Sequence, residues 1–263
     1  MFEKMVKSIP IPDVVREQGQ GYFDAILACD ADGVLVDFDA RVQAHATVTL
    51  STNRSQFHLQ DSRTYFYHRD PATGLSREQM GHVFRDLMGK TKGGIGDLEF
   101  YAGAIKAIKK ARRAGIGIRV LTSVPGALDS SPDAGQSYGW GTSRELRTKQ
   151  FLDTGIILEE DHIIFCAANE KPDVMLDKIL LHIPLLIDDR ASTLVSASRD
   201  NGLIAVGIES SRTLTLPKGH GLRDRYGVVW FNTLKDAMPH VIQAFYKMQS
   251  LGLLRGFPKE VKE

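Results

Sequence analysis

Residues 30–33 read Asp-Ala-Asp-Gly, and residues 188–190 read Asp-Asp-Arg. Each carboxylate pair follows directly on a short apolar run, Ile26-Leu-Ala-Cys29 in the first case and Leu185-Leu-Ile187 in the second. Like charges this close disfavour one another unless a cation or hydrogen-bond donors share the site. Two kinds of chemistry exploit such pairs. A hard divalent cation such as Mg²⁺ binds through a few carboxylates and completes its shell with water and substrate oxygens. A carboxylate can also act as a nucleophile, and a neighbouring one as a general acid or base. Two more residues suit an anionic substrate. Thr122, in Thr122-Ser-Val-Pro125, brings a hydroxyl and adjacent backbone amides, and Lys171, in Ala168-Asn-Glu-Lys-Pro172, brings a positive charge. Each also has a bland reading: a Thr before a turn is often a local cap, a lone Lys a solvated charge, and one Asp of the second pair the cap of the next helix.

The elements that would position these residues follow from pattern. Residues 26–29 and 185–188 are short continuous apolar runs without helical spacing, as buried strands of a parallel sheet are. Further strands are expected at 116–121, 162–166, 203–208 and 228–231. Ligands of open α/β sheets bind beyond the carboxyl ends of the strands, which is where Asp30, Asp32, Thr122 and Asp188 would stand. Gly33 allows a sharp turn after the first pair. Helices are expected at 77–88, started by Ser76 with Glu78 and Gln79, and at 143–154, 192–201 and 234–252. An apolar stripe of Ala102, Ile105, Ala107, Ile108 and Ala111 predicts another, ended by Gly115, whose Lys and Arg residues read as a solvated face. Residues 1–20 read as an extended lead-in with room for one short helix. Residues 126–142, rich in Gly, Ser, Asp and Pro, read as a long loop.

Residues 40–97 are too many for a structureless connection inside a compact domain. A small, mainly helical cap is the expectation there, its first helix around 41–49. The core would then comprise residues 20–39 and 98–263. The cap contains an aromatic-rich piece from Phe57 to His68 and, on the helix at 77–88, Phe84.

Asp30-Ala-Asp-Gly-Val-Leu35 resembles motif I of the haloacid dehalogenase (HAD) superfamily, DxDG[VT]L, in which the first Asp is a nucleophile and the second a general acid/base. Thr122, Lys171 and the Asp188-Asp189 pair resemble motifs II, III and IV in the same order, and residues 147–156 resemble the helix before motif III. The resemblance implies an α/β fold, a Rossmann-like doubly wound parallel sheet with a small mainly helical cap. It also implies a catalytic set of Asp30, Asp32, Thr122 and Lys171, with Ser123 beside the phosphate. Mg²⁺ would be held by Asp30, a carbonyl at Asp32, and Asp188 or Asp189, with Asp188 favoured as the nearer ligand. The implied activity is phosphomonoester hydrolysis through an aspartyl-phosphate.

Asp32 distinguishes this pattern from dehalogenases, which lack the second carboxylate. Within the superfamily the motifs most resemble 5'(3')-deoxyribonucleotidases, whose cap aromatics stack on the base. Phe57, Tyr65 and Phe84 are the corresponding candidates here, although aromatics in a small helical cap more often pack its own core. The chain departs from those enzymes in a longer loop at 126–142 and a longer gap between Lys171 and Asp188. A phosphatase for another small phosphomonoester or a nucleic-acid end, and a non-catalytic binding protein on the same fold, are the alternatives.

Composition narrows the partners. The 263 residues carry 33 basic and 32 acidic side chains, so no net charge favours nucleic acid or a membrane surface. The chain is 43% hydrophobic and 25% charged, as globular proteins are. No apolar run approaches the roughly 20 residues that cross a bilayer, and the first residues mix charge and proline, so cytoplasm is the expected location. Cys29 and Cys166 fall at strand ends as small buried hydrophobes rather than a disulfide framework.

Overall fold

The computed structural model describes residues 8–51, 74–122, 140–166, 169–176, 182–209 and 227–256. Eight strands occur among them: β1 (Phe23–Asp24), β2 (Ile26–Cys29), β3 (Gly117–Thr122), β4 (Ile163–Phe165), β5 (Leu185–Asp188), β6 (Ile204–Ile208), β7 (Val229–Phe231) and β8 (Leu254–Arg255). Six form a parallel sheet in the order β4-β3-β2-β5-β6-β7. The chain builds outward from β2 through β3 to β4, then crosses to β5 and builds the other half. The strand order therefore reverses between β2 and β5, the place where open α/β sheets form a ligand crevice.

Alternation along the strands explains the layers. Leu27, Cys29, Ile118, Val120, Leu185, Ile187, Ile204 and Val206 belong to one buried cluster, while Ala28, Leu121, Leu186, Ala205 and Trp230 belong to a second. Successive side chains of a strand point to opposite faces, so both faces are covered. Helices Ala104–Arg113 and Leu234–Ser250 pack together over the first face. The short helices Lys171–Met175 and Ala191–Val195 contribute Met175 and Leu194 to the second. This is the doubly wound α/β arrangement read from the sequence.

Several boundaries move. The helix expected from 192 is regular only over Ala191–Val195 and continues as a π-turn over Ser196–Asp200. The helix expected around 41–49 begins at Phe38, because the Asp37 side chain accepts the Ala40 N–H at 3.0 Å and caps it there. Helix Arg77–Met88 matches its expected span, and Ser76 and Gln79 form a reciprocal capping box. These two helices pack on each other, and Val42, Ala46, Met80, Val83 and Leu87 share the buried cluster of the sheet's first face. The lead-in carries one short helix, Asp13–Arg16. A two-residue parallel pairing of β1 with β8 joins the beginning of the core to its end. Both cysteines are buried and free.

Candidate active site

Asp30 directly follows β2, and Asp188 ends β5, its neighbour in the sheet. Parallel pairing brings both carboxylates to the same edge. Between them lies Lys171, the first residue of helix Lys171–Met175. Its Nζ is 2.8 Å from Asp30 Oδ1 and 2.7 Å from Asp188 Oδ2. Asp30, Lys171, Asp188 and Asp189 are all buried. Burial opposes the ammonium charge, yet Asp188 and Asp30 outweigh it and hold the Lys171 pKa above that of a free lysine. For Asp30 the balance goes the other way. Burial, helped by Asp188, Asp189 and Asp32, pushes its carboxyl well above the usual range despite Lys171.

Hydrogen bonds distribute the oxygens. Asp30 Oδ1 accepts the Ala31 N–H at 2.7 Å as well as Lys171. Asp188 uses both oxygens, Oδ2 for Lys171 and Oδ1 for the Arg190 N–H at 2.7 Å. Asp30, Asp188 and Asp189 can each present one oxygen such that all three lie within 4.8 Å of one another. Three buried carboxyl groups share this edge with a single ammonium, and oxygen-only ligands at this spacing fit a hard divalent cation. Asp188 and Asp189 thus stand at the same edge as Asp30, each with an oxygen within reach of a shared cation.

Gly33 explains how Asp189 fits. Its φ of +81° belongs to the left-handed region, and a Cβ there would run into the Asp189 carboxylate. The turn is tied by the Gly33 N–H to Val36 O at 3.1 Å and the Val36 N–H to Ala31 O at 3.0 Å. Asp32 sits inside this turn, and its Oδ1 accepts Arg147 Nη1 at 2.7 Å.

Thr122 is the last residue of β3. Since Val120 pairs with Cys29, Thr122 reaches the same edge as Asp30. It is buried, and its Oγ1 has no hydrogen-bond partner among the described residues. A buried hydroxyl in that state is suited to a ligand oxygen. Phe84 is half-buried on the helix Arg77–Met88 and stacks on Phe38 at 6.1 Å. Ser123, Phe57 and Tyr65 lie outside the described residues. Exposed Glu159 and Asp161 also come together with half-buried His162, but this trio precedes β4 and so stands at the opposite edge of the sheet.

Arg147 escaped sequence reasoning. It is 2% exposed, on helix Trp140–Asp153, and ion-paired with a residue 115 positions earlier. The available signal was its placement among Ser143 and Gln150, three polar residues on one face of a helix that packs inward.

No family model matches the sequence, and no curated protein does. Solved structures resemble it in fold. A protein assigned as a haloacid dehalogenase-like hydrolase from Bacteroides fragilis is 13% identical, with a TM-score of 0.52 over 81% of this chain and 98% of that one. A hydrolase from Pseudomonas syringae is 14% identical, with a TM-score of 0.50 over 86% and 99%. A HAD family hydrolase from Deinococcus radiodurans R1, solved with bound phosphate and sodium, is 15% identical, with a TM-score of 0.50 over 89% and 98%. The chain therefore has the α/β fold of HAD-like hydrolases.

Proposed function

We propose that the chain is a Mg²⁺-dependent phosphomonoester hydrolase that works through an aspartyl-phosphate on Asp30. The observation that carries this reading is the contact of Lys171 with Asp30 and Asp188 at 2.8 and 2.7 Å, with Asp189 beside them at the edge of the sheet. The bound phosphate in the Deinococcus structure, a protein of the same fold, agrees with it. In this reading residues 20–39 and 98–263 form the catalytic core, and residues 40–97 the cap.

Each residue then has a chemical task. Asp30 Oδ1 is held by the Ala31 N–H and Lys171, which leaves Oδ2 to attack phosphorus. As the P–O bond to the alcohol breaks, Asp32 supplies the proton that the leaving oxygen needs. Asp32 then takes a proton from water, the water attacks the phosphorus of the acyl phosphate, and phosphate leaves with Asp30 regenerated. Lys171 offsets negative charge on the nucleophile and the transferring group, and Thr122 Oγ1, with Ser123, donates to the phosphoryl oxygens. Asp30, Asp188 or Asp189 and a carbonyl at Asp32 would hold Mg²⁺, which would supply further charge neutralisation for the phosphoryl oxygens.

Purified protein is expected to hydrolyse p-nitrophenyl phosphate with added Mg²⁺ and to lose that activity in EDTA. A panel of deoxynucleoside monophosphates, sugar phosphates and 3'-phosphorylated oligonucleotides then identifies the substrate. Deoxynucleoside monophosphates enter that panel through the motif resemblance. No turnover of any phosphomonoester across the panel contradicts the reading.

A further inference from the structure

Helix Trp140–Asp153 presents three polar side chains inward at i, i+4 and i+7: Ser143, Arg147 and Gln150, exposed 0%, 2% and 8%. The outer two are anchors. Ser143 Oγ donates to Met88 O at 2.8 Å, at the end of helix Arg77–Met88. Gln150 Nε2 donates to Leu98 O at 2.7 Å, where the chain returns toward the core. Between them Arg147 reaches Asp32. Its guanidinium lies 6.0 Å from the ring centroid of Phe38 and 5.8 Å from that of Phe151. Arg147 thus has its helix pinned on both sides, an aromatic ring near its plane on two sides, and one carboxylate oxygen as acceptor. Nε has no hydrogen-bond partner among the described residues. A buried guanidinium with an unused donor is an expensive way to brace a fold.

We propose that Arg147 is a positioning residue for Asp32. By occupying Oδ1 it fixes the rotation of the carboxyl group, so that Oδ2 faces the leaving oxygen of the substrate. The side chain of Asp32 keeps 21% of its surface exposed, whereas that of Arg147 keeps 3%. Substrate can therefore meet the carboxyl but not the guanidinium. Arg suits the task because its rigid, planar fork sets direction as well as charge, which the rotating ammonium of Lys does not. Ser143 and Gln150 extend the effect by tying the same helix to both ends of the segment 88–98. The proposal rests on the phosphatase reading above, with Asp32 as the group that protonates the alcohol.

The test is dependence on the leaving group. Nitrophenolate departs without much help, whereas an alkoxide needs a proton, so misdirecting Asp32 must hurt the phosphoryl-transfer step selectively for alkyl phosphates. Arg147→Met is expected to lower kcat/KM, which reports the steps up to departure of the alcohol, by about 100-fold on an alkyl phosphomonoester and by less than about 5-fold on p-nitrophenyl phosphate, while kcat falls on both because the water-activating step is shared. Arg147→Lys, which keeps a charge beside Asp32, is expected to fall between, and it serves if the methionine variant does not fold. In an Asp32→Asn background, Arg147→Lys must add no further loss on the alkyl substrate. Equal losses of kcat/KM on the two substrates, or a full further loss in that background, overturn the positioning role while leaving the phosphatase reading intact. Wild-type protein inactive on both substrates overturns the phosphatase reading, and this inference with it.

Discussion

Asp30 and Asp32 stand two residues apart in one turn, yet they are served by different cations in different surroundings. Asp30 belongs to a buried group of three carboxyl groups in which one ammonium contacts two, Asp30 and Asp188. Asp32 is partly exposed and matched one to one with a guanidinium. The first arrangement is short of positive charge and the second is balanced. Lysine, a compact charge that can serve two acceptors at once, suits the shared position; arginine, planar and set near two rings, suits the single directed contact. On the proposed reading this difference separates the two tasks of the site. Charge compensation and covalent chemistry fall to the Asp30 side, and proton delivery to the Asp32 side.

The strongest way to break the comparison is to remove the shared cation. Lys171→Met leaves buried carboxylates without their partner. It is expected to cost about 3–5 kcal/mol of stability in metal-free protein, read from urea unfolding, with part of the loss recovered by Mg²⁺. A change below about 0.5 kcal/mol would show that Asp30 and Asp188 do not depend on it. Next in size is Gly33→Ala. A Cβ at φ +81° meets the Asp189 carboxylate, so a loss of about 1–3 kcal/mol is expected, together with a higher Mg²⁺ concentration for half-maximal activity. Stability lost without any change in Mg²⁺ requirement would detach Asp189 from the cation.

Two smaller effects calibrate the larger ones. Ser76→Ala removes the capping box of Arg77–Met88, away from both carboxylates. It should cost about 1 kcal/mol with kcat unchanged, separating stability from chemistry. Asp86 is an exposed counterpart of the buried carboxylates, 2.5 Å from Lys90 Nζ and 2.6 Å from His45 Nε2. Its hydrogen bond with Lys90, with a smaller contribution from the nearby His45 ring, holds its carboxyl below the usual range. A depressed carboxylate stabilises the fold above its unfolded pKa, and that contribution vanishes as pH falls through the folded value. Asp86→Asn should therefore cost about 0.5 kcal/mol near neutral pH and nothing in strong acid, as thermal unfolding at two pH values would show.

What the sequence made legible was local. Strand ends were visible because short apolar runs broke off at carboxylates, and the start of Arg77–Met88 was visible because Ser76 and Gln79 are spaced as a capping box. Contacts between distant residues were not. The pairing of β1 with β8 joins two-residue segments far apart in the chain, too short to leave a period. Arg147 was hidden for a related reason. A search for apolar stripes discounts a polar residue on a helix, and nothing near residue 147 marks a partner at residue 32. The contacts of Asp188 with Lys171 and with the Arg190 N–H were equally out of reach, because spacing alone does not encode them.

The account stands most directly on Asp30 as the nucleophile. Its test is the Mg²⁺-dependent hydrolysis of p-nitrophenyl phosphate by wild-type protein and by Asp30→Asn, with folding of both checked by circular dichroism. The account predicts a folded variant with kcat reduced by at least about 1,000-fold. A folded variant as active as wild type would contradict it.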